Sequence, residues 1–155
     1  MNNSLSLKKS HITTIVICLL VISSISVGFK LSQVDFTEPS ISEDTYVYIL
    51  GAFSIINGDF SQPDRKALGW SIFISPFYLF VDSTDFLHYL NITRILSISI
   101  STITIIPMYI LARRFFDEKY SLVASCLFAF EPHLNINSVL GLSEPIFILA
   151  IILST

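Results

Sequence analysis

Long apolar segments alternate with polar ones along this chain, and their spacing predicts its organisation. Ile12–Phe29 and Ile95–Ala112 contain no charged residue, and each is close to the ~20 residues that a helix needs to cross a hydrocarbon core. Two later segments are also apolar, although they are shorter or interrupted. The pattern predicts an all-α fold of polytopic membrane helices, with spans at about 12–29, 92–112, 120–136 and 144–155.

The segment 30–91 between the first two spans is long, polar and acidic. Within it, the apolar residues of Asp44–Ile56 recur every three or four positions, which is typical of a helix lying in the membrane interface. Leu68–Val81 is apolar too, but it contains Pro76 and stops at an aspartate. We therefore predict interfacial helices at about 43–57 and 68–81 in this loop.

Basic residues indicate which way the chain is threaded. Lys8 and Lys9 precede the first span, and Arg113, Arg114 and Lys119 follow the second. Basic residues in short loops collect on the cytoplasmic side, and these five do so only if the stretch 68–81 stays in the interface. The sequence thus predicts a multi-pass protein of the cell membrane with a cytoplasmic N-terminus and an outer loop at 30–91.

Composition agrees with a membrane protein, since 52% of the residues are hydrophobic and only 14% are charged. The net charge of −3 and the lack of a basic stripe argue against nucleic acid as a partner. Cys18 and Cys126 lie inside apolar segments, where a packing role is favoured over a disulfide or a metal pair. The first span is longer than the apolar part of a signal peptide, so we interpret it as a retained anchor.

Two carboxylates on the predicted outer side are candidates for chemistry. Asp44 lies in the first turn of a predicted helix, where the helix dipole also stabilises a carboxylate, so a structural role is equally supported. Glu144 precedes Pro145 in an ordinary helix start. However, it also begins a segment that enters the bilayer, where ionisable residues are expensive and usually functional. Glu43 is assigned to a capping box with Ser40.

Other polar residues have competing interpretations. Arg65 and Lys66 either anchor the chain to lipid headgroups or pair with a lipid phosphate, for which arginine offers a bidentate fork. Glu131 and His133 flank Pro132, and helix capping is favoured over a metal site because two residues do not define one. No metal ligand set or cofactor is predicted. A divalent metal would be compatible with the carboxylates but has no support in the sequence.

Several short motifs follow one another along the chain in a characteristic order. They are Asp44-Thr45-Tyr46, Asn57-Gly58-Asp59, Lys66-Ala67-Leu68-Gly69-Trp70, Pro76-Phe77-Tyr78, Tyr109-Ile110-Leu111-Ala112-Arg113-Arg114, Glu131-Pro132 and Leu142-Ser143-Glu144-Pro145. Their order resembles the amino-terminal part of GT-C-type membrane glycosyltransferases, a group that includes the protein O-mannosyltransferases (glycosyltransferase family 39-like) and the aminoarabinose transferases of lipid A. The likeness covers nearly the whole chain but a third or less of a complete member, so residues 1–155 are interpreted as an amino-terminal fragment.

This resemblance implies transfer of a sugar, such as mannose, from a polyprenyl-phosphate-linked donor to a protein or lipid acceptor at the outer membrane face. It assigns the general base to Asp44, the assisting acid to Glu144, and the lipid phosphate to Arg65 or Lys66. Tyr46 belongs to the same motif as Asp44. The fragment alone is expected to be inactive. The alternative is a non-enzymatic small multi-span membrane protein or a transporter fragment.

Overall fold

A computed structural model describes residues 2–39, 42–59 and 68–155, with the side chains of the first helix described from residue 12 onward. All regular structure in these ranges is helical, which confirms the predicted all-α class. The helices are α1 (Asn2–Ser32), α2 (Glu43–Ile56), α3 (Leu68–Tyr78), α4 (Phe86–Ile103), α5 (Ile105–Ala112), α6 (Glu118–Ala129), α7 (Pro132–Leu140) and α8 (Glu144–Ser154).

Two of the helical segments are long and apolar enough to cross a membrane. Ile12–Ser32 has a mean hydropathy of 2.4, and Phe86–Ala112, which is α4 continued by α5, has a mean hydropathy of 2.0. The second segment begins earlier than the predicted residue 92, because the Asp85 side chain caps α4 by accepting a hydrogen bond from the Leu87 amide at 2.9 Å. Thr104 alone separates α4 from α5.

The predicted span at 120–136 is divided into two short helices. Glu131 caps α7, with its Oε2 accepting from the Leu134 amide at 2.6 Å, and Pro132 occupies the first turn of that helix. A proline there cannot continue the preceding helix, which therefore ends at Ala129. The structure thus supports the capping role that the sequence favoured for Glu131. It also leaves α6 and α7 each shorter than a single-helix crossing requires.

The segment between the two candidate spans contains the two helices expected there. α2 and α3 lie within about three residues of the predicted bounds, and their placement in a membrane interface stays a prediction. The capping box pairs Glu43 with Ser40, which lies outside the described residues. In the structure Glu43 is the first residue of α2, and Ser42 occupies the N-cap position without a side-chain capping bond.

The buried apolar side chains form two separate groups. The first, which we call the α2–α3–α4 cluster, consists of Ile49, Ala52, Trp70, Ile74, Tyr78, Leu90 and Ile100. The second, the α1–α5–α6 cluster, consists of Leu19, Ile105, Tyr109 and Ala129. The change from one cluster to the other occurs between Ile100 and Ile105, across the break at Thr104.

Polar side chains join α1 to the rest of the bundle. Ser26 Oγ donates to the Ala129 carbonyl at 3.1 Å, and Lys30 Nζ donates to Ser101 Oγ at 2.8 Å. Lys30 is only 1% exposed, which is unusual for lysine because burial of its ammonium group is costly. These contacts fix α1 against α4 and α6 through hydrogen bonds in addition to the apolar packing.

Candidate functional site

The turn between α7 and α8 is held by side chains from three different helices. Thr45 Oγ1 on α2 donates to the Leu140 carbonyl at 2.8 Å, and Trp70 Nε1 on α3 donates to the Gly141 carbonyl at 3.1 Å. Ser97 Oγ on α4 donates to the next carbonyl, that of Leu142, at 3.0 Å. Three consecutive carbonyls are therefore satisfied by distant parts of the chain, and the start of α8 is held in a defined position.

Gly141 is required for this turn. It ends α7 with φ 80°, in the left-handed region that costs L-residues roughly 1–2 kcal/mol. A Cβ atom at this position would also lie 3.2 Å from Thr93 Cγ2 and 3.3 Å from the Arg94 backbone nitrogen. Glycine thus allows the turn to lie directly on α4.

This arrangement brings Glu144, the first residue of α8, next to Tyr48 of α2. The Tyr48 hydroxyl lies 3.1 Å from Ser143 Oγ, and either group can be the donor. Glu144 is half-buried, and its Oε2 is buried without a hydrogen-bond partner among the described residues. A carboxylate oxygen in this state is costly, since buried polar atoms are normally paired.

Asp44 acts on the same tyrosine. Burial raises the pKa of the Tyr48 hydroxyl, the hydrogen bond with Ser143 lowers it, and the charges of Glu144 and Asp44 raise it further. Asp44 itself is exposed in the first turn of α2. The two carboxylates singled out in the sequence therefore both act on the charge state of one hydroxyl, that of Tyr48. The fold brings them to it from distant parts of the chain, since Tyr48 and Ser143, the neighbour of Glu144, are 95 positions apart.

The chemistry available here is that of carboxylates beside hydroxyl groups. Asp44 is open to solvent and can take a proton from an incoming hydroxyl group. The unpaired oxygen of Glu144 can accept a further hydrogen bond, and the hydroxyls of Tyr48 and Ser143 can donate or accept. Such a set suits a ligand rich in hydroxyl groups, because every hydroxyl can find both an acceptor and a donor.

The remaining candidates from the sequence lie apart from this group or outside the described residues. Tyr46 stacks on Phe86, with ring centroids 5.5 Å apart. His133 is exposed in the first turn of α7. Arg65 and Lys66 lie outside the described residues. Within the described ranges, no three side chains of His, Cys, Asp or Glu come together in a way that could hold a metal ion.

Arg94 is an important residue that the sequence analysis did not single out. It is 5% exposed, and its Nη1 donates to the carbonyls of Asp35 and Glu38 at 3.0 and 3.1 Å and to Asn91 Oδ1 at 3.1 Å. Asn91 Nδ2 donates to the Phe36 carbonyl at 2.8 Å. Arg94 and Asn91 thus hold the segment that leads from α1 toward α2 and Asp44.

A sequence signal for this contact existed in the spacing of Asn91 and Arg94. The two residues are one helical turn apart, so their side chains lie on the same face of α4. The spacing does not reveal which main-chain carbonyls accept these hydrogen bonds, because every residue has such a carbonyl whatever its side chain.

Searches against the models of known protein families, against curated proteins and against solved structures return no match for this chain.

Proposed function

We propose that this chain is part of a membrane-bound glycosyltransferase that uses a polyprenyl-phosphate-linked sugar as its donor and a protein or lipid hydroxyl as its acceptor. The observation that supports the proposal best is that the charges of Asp44 and Glu144 both act on the Tyr48 hydroxyl, which lies 3.1 Å from the hydroxyl of Ser143, the neighbour of Glu144. Two candidate spans in the same chain agree with a lipid-linked substrate.

In this proposal Asp44 is the general base. It removes the proton from the acceptor hydroxyl while the acceptor oxygen forms a bond to the anomeric carbon of the sugar. The bond from the anomeric carbon to the phosphate oxygen breaks, and its electron pair leaves with the polyprenyl phosphate. Glu144 accepts hydrogen bonds from sugar or acceptor hydroxyls and orients them. Arg65 and Lys66 are proposed to stabilise the departing phosphate.

The proposal includes a membrane arrangement. Ile12–Ser32 and Phe86–Ala112 cross the bilayer, α2 and α3 lie in the outer interface, and the N-terminus is cytoplasmic. Cysteine labelling in a background without Cys18 and Cys126 tests this arrangement. We expect a cysteine at Thr84 to react with an impermeant reagent from outside, and one at Phe116 only after permeabilisation. Reaction at Thr84 from the cytoplasmic side alone would contradict the arrangement.

Transfer activity is tested by neutralising one carboxylate at a time. The chain is expressed with whatever coding sequence adjoins it in its gene, and membranes are assayed with a radiolabelled polyprenyl-phosphate sugar. Asp44→Asn is expected to reduce turnover by about 10²–10⁴-fold. Asp44 lies in the first turn of α2, so the substitution removes only a charge–dipole interaction of about 0.3–1 kcal/mol, and the fold should persist.

Asp82→Asn is the matched control, because Asp82 is an exposed carboxylate in the same loop with no proposed role. It should leave transfer unchanged. Undiminished transfer in the Asp44→Asn variant would remove Asp44 as the base and with it the proposed mechanism.

The second candidate function is that of a small multi-span protein or part of a transporter. One observation favours it, namely the buried Lys30 and its bond to Ser101 inside candidate spans, one turn before the break at Thr104. Ionisable residues and interrupted helices within spans are typical of transport pathways. In sealed vesicles, proton flux that disappears in Lys30→Met would favour this candidate, whereas unchanged flux would leave transfer as the better proposal.

A further inference from the structure

An open polar hollow lies at the opposite end of the bundle from Tyr48. α8 begins beside Tyr48 and ends where Arg114 Nη1 donates to the backbone oxygen of Thr155. The hollow occupies the turn between α5 and α6 and has a volume of about 490 Å³. It is lined by Arg113, Arg114, Phe115, Phe116, Asp117 and Tyr120.

The turn itself holds one of the guanidinium groups in place. Arg113 Nη1 donates to the Phe116 carbonyl at 2.8 Å, which closes the turn over four residues. A guanidinium has five N–H donors, and the described contacts use one from each arginine, so most of the donors remain for a ligand. Two arginines and one aspartate give the hollow an excess of one positive charge.

The aromatic residues around the hollow are more than half exposed. Phe115 is 75% exposed, Phe116 is 55% exposed and Tyr120 is 67% exposed. Phe115 and Phe116 follow within four residues of Ala112, where the candidate span ends, and Tyr120 lies in the first turn of α6. Aromatic side chains at a span end are typical of the headgroup level of a bilayer, where the ring contacts acyl chains and polar neighbours reach water.

We propose that this hollow binds the headgroup of an anionic glycerophospholipid of the phosphatidylglycerol type. Its phosphodiester carries one negative charge, matching the single excess positive charge, and two of its oxygens fit the fork of an arginine. A headgroup hydroxyl donates to Asp117, and Phe115 and Phe116 lie against the acyl chains. The inference rests on the membrane insertion in the proposed function and is independent of sugar transfer.

Native mass spectrometry tests the site directly. The protein is released from nanodiscs that contain equal amounts of phosphatidylglycerol, phosphatidylethanolamine and phosphatidylcholine, and the lipids that remain bound are counted. We expect one phosphatidylglycerol to be retained preferentially. Arg113→Gln/Arg114→Gln should reduce the retained fraction by roughly fivefold for each arginine removed.

The matched control is Lys119→Gln, which removes the same charge from an exposed residue outside the hollow and should not change retention. Arg113→Lys/Arg114→Lys keeps the charge but removes the fork, so it should lose most of the bound lipid while folding as the wild type does. Competition with inorganic phosphate separates a lipid site from a general phosphate site, and it should not displace the lipid.

Three results would overturn the proposal. The first is equal retention of all three lipids, and the second is an equal loss in Lys119→Gln, which would indicate general charge attraction. The third is preferential retention of phosphatidylethanolamine that Asp117→Asn abolishes, which would indicate a zwitterionic ligand. A protein that fails to enter nanodiscs would instead contradict the membrane insertion itself, whereas a loss of sugar transfer would leave the lipid site untouched.

Discussion

Replacing Gly141 by alanine should perturb the turn that positions Glu144. The substitution forces an L-residue into φ 80°, at a cost of roughly 1–2 kcal/mol, of which about 0.4–1 kcal/mol is recovered because alanine restricts the unfolded chain. The added Cβ also meets Thr93 Cγ2 at 3.2 Å and the Arg94 backbone nitrogen at 3.3 Å. Overpacking of this kind costs about 1–3 kcal/mol, so the total loss should be roughly 1–4.6 kcal/mol.

Gly58 provides a matched control for the backbone term. It has φ 74°, and a Cβ there would meet nothing within 4 Å. Gly58→Ala should therefore cost only the backbone strain, reduced by the stabilising effect of alanine on the unfolded chain. This leaves a net loss of about 0–1.6 kcal/mol. The difference between the two variants measures the crowding against α4 alone.

A third variant identifies the crowded atom. Thr93→Ser removes Cγ2 and keeps the hydroxyl that donates to the Tyr89 carbonyl at 2.9 Å. Combined with Gly141→Ala, it should recover part of the lost stability, since the contact with the Arg94 nitrogen remains. The free energy of unfolding is measured by equilibrium unfolding in mixed micelles, with helical circular dichroism as the signal. Equal losses for Gly58→Ala and Gly141→Ala would refute the reasoning.

Three further predictions concern named hydrogen bonds and charges. The titration of Tyr48, measured as the absorbance difference between wild type and Tyr48→Phe, should have its midpoint above the ordinary ~10, and Glu144→Gln should lower it because one negative neighbour is lost. Since the folded pKa is raised, the contribution of Tyr48 to the unfolding free energy should be lost as pH rises above ~10. Lys30→Met should leave stability equal or higher, whereas Ser101→Ala should cost about 1–3 kcal/mol by stranding the buried amine. Trp70→Phe should cost about 1–3 kcal/mol because the Gly141 carbonyl loses its donor, and unchanged unfolding would contradict that bond.

Helix identity and approximate bounds could be predicted from periodicity, whereas the packing of the helices could not. The three-to-four-residue spacing in Asp44–Ile56 identified α2 almost to the residue, because an amphipathic stripe is a local property of the sequence. The bonds of Thr45, Trp70 and Ser97 to the turn at 140–142 are different. Single hydroxyl and indole donors bound to main-chain carbonyls follow no period, and their acceptors have no sequence signature.

The candidate site shows the same division. The sequence identified Asp44 and Glu144 by their positions at predicted helix starts, and the topology argument predicted that they face one side. It did not identify Tyr48, which appeared only as one member of an ordinary helical segment. Lys30 was missed because it follows the end of an uncharged segment, where a lysine is normally expected to reach the headgroups.

The division of the interior into two clusters has a consequence for the order in which the chain assembles during synthesis. Every buried member of the α2–α3–α4 cluster lies between Ile49 and Ile100, so this half can form once those helices have been made. The α1–α5–α6 cluster must join Leu19 to Ala129 and waits for α6. Contacts between neighbouring segments form faster than distant ones, and chains emerge from the ribosome N-terminus first. We therefore expect the α2–α3–α4 cluster to be in place before α1 completes its packing against α5 and α6.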